Sequence, residues 1–199
     1  MKTSSQASSA VGFTVKSGWA AAVLLTIVGR KPRVVASWRI ELSDPKVPDS
    51  RQPYHDGLGT ARKEGAALSR LLESVQSFGR RSVISLLADL ESDGTRLAGA
   101  ALVAGSLIDP ETIANEHIRI HAREGQLFRR VIEEALADRG VRCEIRRERD
   151  LWQVAATTLG MGEADLRSKI TAIDRVTDGP WRVEQKTAAV AAWLLISDR

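Results

Sequence analysis

The chain has very little cysteine and no long hydrophobic run, and both shortages exclude classes of protein. Cys143 is the single cysteine among 199 residues, so neither an intrachain disulfide framework nor a cysteine-rich zinc site can form. The longest apolar stretch near the start, residues 19–28, is too short to span a bilayer. Residues 1–10 are polar and serine-rich, without the apolar core of a signal peptide. We therefore expect a soluble cytoplasmic protein with no membrane partner.

Lysine is scarce too, and the basic residues are mostly arginine. Seven lysines and 22 arginines stand against 25 acidic residues, which gives a formal net charge of +4. Many of the arginines alternate with acids, most densely over residues 142–150, as is typical of a solvated surface. The net charge permits a nucleic acid or another anionic partner and does not require one.

Hydrophobic periodicity predicts an α/β fold that opens with an antiparallel three-stranded meander. Residues 11–15, 19–28 and 33–42 are predicted strands separated by tight turns. A loop over 43–59 leads into a helix that we expect Gly79 to interrupt, with a second helical piece following it.

The second half of the chain alternates strands with helices. Residues 97–104 are small and apolar, which predicts a central strand covered on both faces. A helix or helix pair is expected from Asp109 to Asp138, followed by a strand over 141–146 and a short helix over 152–159. The last predicted helix, at 181–196, is alanine-rich and apolar almost all round, so we expect it to lie in the interior.

The first hairpin and the order of elements together point to a known architecture. Residues 11–25 read VGFTVKSGWAAAVLL, a short strand that turns at glycine into a longer apolar strand. This hairpin and the closing helix resemble the ribonuclease H-like superfamily, which includes RuvC-type resolvases, ribonuclease H, and the actin and sugar-kinase ATPases. The turn from Lys16 to Trp19 is also similar to the Lys-Gly-Gly-Trp of some bacterial members. The resemblance implies a mixed sheet flanked by helices in one domain, residues 11–199, after a disordered segment, 1–10.

The resemblance also implies a site for two divalent ions, from which this sequence departs. Nucleases of this superfamily hold the ions with carboxylates, one of them from the middle of the first strand. Phe13 or Thr14 stands there, and Lys16 follows. The last helix should begin with an aspartate pair, where this chain has Glu184, Gln185 and Lys186. We therefore expect no metal, no cofactor and no two-metal nuclease activity, and ATP hydrolysis suffers from the same absence of acids.

Two histidines form the densest group of candidate functional residues. His117 and His121 lie four residues apart, so a helix would place them on one face, with Glu124 one turn beyond His121. Such a pair can bind zinc when a third ligand completes the site. The metalloprotease signature fails, because Ile118 stands where a glutamate should follow the first histidine. A metal or phosphate site, a proton-transfer role and a plain polar helix edge stay open, and we favour the polar edge.

The fold implied by the resemblance predicts one cleft in which these residues meet. Lys16 and Lys186, together with His117, would bind an anion there, while Glu124 and His121 would orient it or move a proton. The expected function is a non-nucleolytic protein that binds an anionic ligand or nucleic acid. Two alternatives stay open: a hydrolase or transferase using Glu124 and His121, and a homodimer formed through the exposed edge of the meander.

The third histidine and the cysteine receive ordinary structural interpretations. His55 lies in a proline- and glycine-containing loop beside the only tyrosine, where a plain turn is favoured over a flap across the cleft. Cys143 lies on a predicted strand with no histidine nearby in sequence, which indicates a buried structural thiol.

Overall fold

A mixed six-stranded sheet forms the centre of the fold. The computed structural model describes residues 8–29, 31–57 and 59–198. The strands follow the order β5-β4-β1-β2-β3-β6 across the sheet. They are β1 (Ser9–Lys16), β2 (Trp19–Val28), β3 (Lys31–Glu41), β4 (Leu97–Ala104), β5 (Cys143–Arg147) and β6 (Asp174–Arg175).

Strand pairing confirms the predicted meander and places the later strands in parallel beside it. β1 pairs antiparallel with β2, and β2 pairs antiparallel with β3. β4 lies parallel to β1, and β5 lies parallel to β4. Strand β1 begins at Ser9, so Ser9 and Ala10 belong to the sheet and not to the segment 1–10 that we expected to be disordered. Ser8 is also described, and its carbonyl oxygen accepts a hydrogen bond from Ile27 N at 3.1 Å. The rest of that expectation falls on residues 1–7, which lie outside the described residues.

Within the described ranges, five α-helices cover the two faces of the sheet. They are α1 (Ala66–Ser92), α2 (Glu116–Asp138), α3 (Glu148–Thr158), α4 (Glu163–Thr171) and α5 (Val183–Ser197). Helices α1 and α2 pack on one face, and α3, α4 and α5 pack on the other. Among the described residues, no helix is both long and apolar enough to cross a membrane.

The alanines of α5 let this helix lie directly against β1. Four of them, Ala188, Ala189, Ala191 and Ala192, are fully or almost fully buried. A Cβ added at Gly12 would lie 1.9 Å from the carbonyl oxygen of Ala188, so backbone meets backbone here. The prediction of an interior closing helix is confirmed, and the contact requires glycine on the strand.

Helix α1 runs unbroken through Gly79, so the predicted interruption is wrong. A Cβ at this position would lie 2.8 Å from a methyl of Val131 and 3.0 Å from the carbonyl oxygen of Leu42. The missing side chain allows α1 to approach α2 and the end of β3, and tertiary packing outweighs the low helix propensity of glycine.

The chain enters α2 in two steps. Pro110–Thr112 form a short 3-10 turn capped by Asp109, whose side chain accepts a hydrogen bond from Glu111 N at 3.0 Å. Helix α2 itself begins later, where Asn115 Oδ1 accepts from Ile118 N at 3.0 Å. This second cap fixes the first turn of α2, on which His117 lies.

Candidate functional site

A cleft opens where β1 and β4 end. We call it the strand-end cleft. Its volume is about 420 Å³, and it is lined by the end of β1 (Val15, Lys16, Ser17), the exit of β4 (Ala104, Gly105, Ser106), Glu148, and one side of α2 with the segment before it (Ile108, Ile113, Ile118, His121, Ala122, Gly125, Arg129). The carboxyl ends of neighbouring parallel strands are where open α/β sheets place their ligands. Topology alone therefore makes this cleft the first candidate site.

Among the residues that the structure describes, two cations face the strand-end cleft, and neither has a strong partner there. Lys16 Nζ lies 3.7 Å from Glu148 Oε1, and both side chains are about one-third exposed. Arg129 is 15% exposed and donates one long hydrogen bond, 3.4 Å, to the carbonyl oxygen of Ser106. The Arg129 Nε atom lies 3.7 Å from the carboxylate of Glu133, and this atom has no hydrogen-bond partner within the described residues. Both groups retain donor capacity for an anion.

The middle of β1 does not offer the ligands that a pair of magnesium ions requires. Strand β1 contains no acidic residue. Thr14 lies two residues from Gly12 and so shares the sheet face that packs on α5. The Thr14 side chain is 1% exposed, and its hydroxyl has no hydrogen-bond partner within the described part of the chain. The first turn of α5 adds only one acid, Glu184, and Glu148 is paired with a lysine. Two divalent ions would lack their carboxylate ligands here.

Beside the cleft, a loop hairpin carries His55 onto α2. Residues 54–57 and 59–62, which we call the His55 hairpin, fold back on each other, with His55 and Ala61 forming an antiparallel bridge. Gly57 and Gly59 both have φ of +78°, a conformation that glycine adopts without strain. The ordinary turn predicted at His55 is therefore present, and it brings this residue next to a helix more than 60 residues further along the chain.

The three histidines of the chain meet at this point and form what we call the histidine cluster: His55, His117 and His121. The ring centroids of His117 and His121 are 4.6 Å apart, and those of His55 and His121 are 4.9 Å apart. One nitrogen from each ring can be chosen so that all three lie within 4.8 Å of one another. Because His117 and His121 are exposed, the cluster is open to solvent on that side.

A buried carboxylate lies beneath the histidine cluster. Glu124 is 0% exposed, and its Oε1 accepts a hydrogen bond from His55 Nδ1 at 2.8 Å. A second hydrogen bond comes from the backbone of Tyr54, and the other oxygen, Oε2, lies 3.7 Å from His121 Nδ1. Burial raises the pKa of Glu124, and the hydrogen bond from His55 opposes that rise. Burial, followed by the charges of the other two histidines, lowers the pKa of His121, which favours its neutral form.

Comparisons with known proteins identify the architecture. No protein-family model matches the chain, and no curated protein matches it. Among solved structures, Thermus thermophilus RuvC has a TM-score of 0.57 at 10% identity, covering 94% of this chain and 92% of that one. The same protein in complex with a Holliday junction substrate gives a TM-score of 0.58 at 11% identity, covering 96% and 94%.

The chain has a ribonuclease H-like fold. At this level of identity the likeness concerns the architecture alone, and it confirms the mixed sheet and the opening meander that the resemblance implied. Function therefore has to be argued from the side chains of this chain.

Within this ribonuclease H-like fold, the structure separates the residues that we expected in one cleft. Lys16 and His121 do line the strand-end cleft together. Glu124 lies buried behind His121 and can act on a ligand only through the histidines. Lys186 is placed elsewhere: it lies on α5, across the sheet from α2, and its Nζ donates to the hydroxyl of Thr171 at 3.3 Å.

The structure brings to the site three residues that were not predicted to belong to it. They are His55, Arg129 and Glu148. A signal existed for Arg129, because it follows His121 by eight residues and so lies on the same face of α2. Glu148 was hidden in the mixed-charge run that resembles a solvated surface. His55 gave no local signal beyond its being the third of only three histidines.

Proposed function

We propose that the protein binds the phosphate backbone of a nucleic acid in the strand-end cleft and does not cut it by two-metal chemistry. The observation that carries this proposal is the position of Lys16 and Arg129, whose cationic groups flank the ends of β1 and β4. Cations at such a site recognise phosphate oxygens by charge-assisted hydrogen bonds.

The existing partners of these cations are weak enough to be exchanged for phosphate. A lysine–carboxylate pair at 3.7 Å whose side chains are about one-third exposed contributes little to stability, since solvent screens it. Arg129 makes one long hydrogen bond, 3.4 Å to the carbonyl oxygen of Ser106, and its buried Nε has no hydrogen-bond partner within the described residues, so its guanidinium retains N–H donors for a phosphate oxygen. The positive charge elsewhere is mostly interleaved with acids, which confines the proposed contact to the cleft.

The absence of nuclease chemistry follows from the ligand set. Thr14, whose hydroxyl has no hydrogen-bond partner in the described part of the chain, stands in β1 where a carboxylate would be needed, and Lys16 brings a positive charge to the end of the same strand. Both features oppose the binding of magnesium. The fold in this chain therefore supports binding, with its acidic centre lost.

Salt-dependent fluorescence anisotropy tests the proposal. Labelled four-way DNA junction, duplex and single-stranded DNA are titrated with protein over a series of salt concentrations. We expect Lys16→Ala and Arg129→Gln each to weaken binding by about tenfold, because a hydrogen bond to a charged group contributes about 1.5 kcal/mol. The slope of log affinity against log salt should fall by about 1 for Lys16→Ala.

The matched control is Lys31→Ala, which removes an exposed lysine at the opposite end of the sheet and should leave affinity unchanged. Lys186→Ala should behave like this control. Equal losses in Lys16→Ala and Lys31→Ala would overturn the proposal, as would no binding to any of the three DNA forms. Full competition by millimolar inorganic phosphate would instead indicate a small anionic ligand.

A hydrolase or transferase is the second candidate, supported by the position of His121 on the cleft wall, 3.7 Å from Glu124. A histidine backed by a carboxylate can transfer a proton to a bound ligand. A panel of phosphate esters, assayed with wild type and His121→Gln, tests this role. Turnover that survives the substitution would refute it.

A homodimer through the sheet edge is the third candidate. Strand β6 pairs only with Arg33 and Val34 of β3. The remainder of that edge, toward Glu41, has no further strand beside it within the described residues. Size-exclusion chromatography with light scattering at several concentrations tests whether a second copy pairs there, and a monomer at all concentrations would exclude it.

A further inference from the structure

We propose that His55, His117 and His121 bind one divalent transition-metal ion of the zinc class. This site goes beyond the proposed function, since its ligands come from a loop hairpin and the first turns of α2 and not from Lys16 or Arg129, although His121 also lines the strand-end cleft. It also differs in chemistry from a magnesium site, because its ligands are imidazole nitrogens and not carboxylates.

The geometry of the cluster is close to that of a bound metal. In a tetrahedral site with metal–nitrogen bonds of 2.0–2.1 Å, the ligand nitrogens lie about 3.4 Å apart. In this structure one nitrogen from each ring lies within 4.8 Å of the other two. The remaining closure needs small side-chain rotations, and two of the three rings are exposed and free to make them.

Glu124 gives the cluster a feature that metal sites share. His55 Nδ1 donates to the buried carboxylate at 2.8 Å, which leaves Nε2 as the nitrogen with a lone pair. Metal-binding histidines ordinarily donate their second ring nitrogen to a carboxylate or a carbonyl oxygen, and this contact fixes the tautomer and the ring orientation. Glu124 Oε2, which has no hydrogen-bond partner within the described residues, lies 3.7 Å from His121 Nδ1, in position to orient that ring as well.

Solvent access defines the kind of site. Three protein ligands leave one tetrahedral position for water or an exchangeable ligand. The side chain of His55 is 12% exposed, and that of His121 is 46% exposed, so the open position faces the solvent and not the core. The site is therefore of the open, three-histidine type and not a closed structural one.

The test is metal titration of untagged protein from which metal has been removed with EDTA. Isothermal titration calorimetry with Zn²⁺ should give one equivalent bound. Titration with Co²⁺ should give the visible absorption bands of a low-coordinate nitrogen site. His117→Ala and His121→Ala should each weaken zinc binding by about 100-fold or more, and Glu124→Gln by about 10- to 100-fold, as for residues that orient metal ligands.

The control is Glu134→Ala, which removes an exposed carboxylate of α2 away from the cluster and should bind zinc like wild type. Thermal unfolding in EDTA reports whether each variant is folded, and His117→Ala should unfold like wild type because its side chain is exposed. The proposal is overturned if wild type binds no zinc at one equivalent. It is also overturned if a folded His117→Ala/His121→Ala double variant binds zinc as wild type does.

Discussion

Glu124 should hold the His55 hairpin against α2, and its removal should loosen that hairpin before the rest of the protein. The carboxylate is fully buried and accepts hydrogen bonds from His55 Nδ1 and from the backbone of Tyr54. Glu124→Ala leaves both donors unpaired, at about 1 kcal/mol or more each, and adds a small cavity. We therefore expect a loss of about 2–4 kcal/mol in the free energy of unfolding.

Glu124→Gln separates the hydrogen bonds from the charge. The amide oxygen can still accept from His55, and the substitution removes a carboxylate whose pKa is raised by burial. Its NH₂ group, however, replaces Oε2, for which the described residues provide no hydrogen-bond partner. The retained hydrogen bond and the removed buried carboxylate favour the folded variant, whereas the unpaired NH₂ group disfavours it. We therefore expect the free energy of unfolding to fall by about 1 kcal/mol, clearly less than for Glu124→Ala.

Urea unfolding in EDTA measures these differences, with Glu134→Ala as the exposed control, expected within about 0.5 kcal/mol of wild type. Limited trypsin digestion adds the local readout, because Arg62 and Lys63 lie at the end of the hairpin. Glu124→Ala should be cut there faster than the increase in global unfolding explains. Equal stability of Glu124→Ala and wild type, or unchanged cleavage at the hairpin, would refute the reasoning.

Three further predictions concern the thiol, the closing helix and the absent acids. Burial raises the pKa of Cys143 from its ordinary 9.0 to about 11. Alkylation by iodoacetamide at pH 8 should therefore be about 100-fold slower in the folded protein than in urea, and equal rates would contradict the burial. Gly12→Ala should lower the free energy of unfolding in urea by about 3 kcal/mol or more, because its Cβ would meet the Ala188 carbonyl oxygen at 1.9 Å. Gly125→Ala, which has open space around it in α2, should instead raise the free energy of unfolding by about 0.5–1 kcal/mol. Junction DNA incubated with the protein and Mg²⁺ or Mn²⁺ should remain intact on a denaturing gel, since Thr14 offers no charge to a metal. Metal-dependent cleavage by the wild type that the Thr14→Val variant lacks would refute this.

Local patterns were sufficient to predict most of the elements of the fold. Strand β4 lies over residues 97–104 as expected, because an uninterrupted run of small apolar residues suits a strand covered on both faces. The alternation in β3 and the turn before Trp19 similarly predicted the meander. Gly79 is the instructive exception. Its helix-breaking tendency is a local property, whereas the close approach of α1 to Val131 and Leu42 is a tertiary one.

The site could be predicted only where its residues share one element. His117, His121 and Glu124 were found together because helical spacing places them on one face. His55 was not, since its partner Glu124 lies 69 residues away and the contact depends on how the His55 hairpin folds back. The place of Lys186 was missed for a related reason: the resemblance implied that the start of α5 lies near this end of the sheet, but not that the Lys186 side chain donates to Thr171 of α4.

The cleft and the histidine cluster share His121, so occupancy of one should alter the affinity of the other. At about 10 Å in water, a divalent ion attracts one phosphate charge by about 0.8 kcal/mol, which is about a fourfold gain in affinity at low salt. Zinc should therefore tighten DNA binding by about this factor relative to EDTA, and DNA should tighten zinc binding equally. His117 does not line the cleft, so His117→Ala should abolish the zinc effect and leave the affinity in EDTA unchanged. If zinc still tightens DNA binding in this variant, the zinc effect does not come from the histidine cluster, and the two sites act separately.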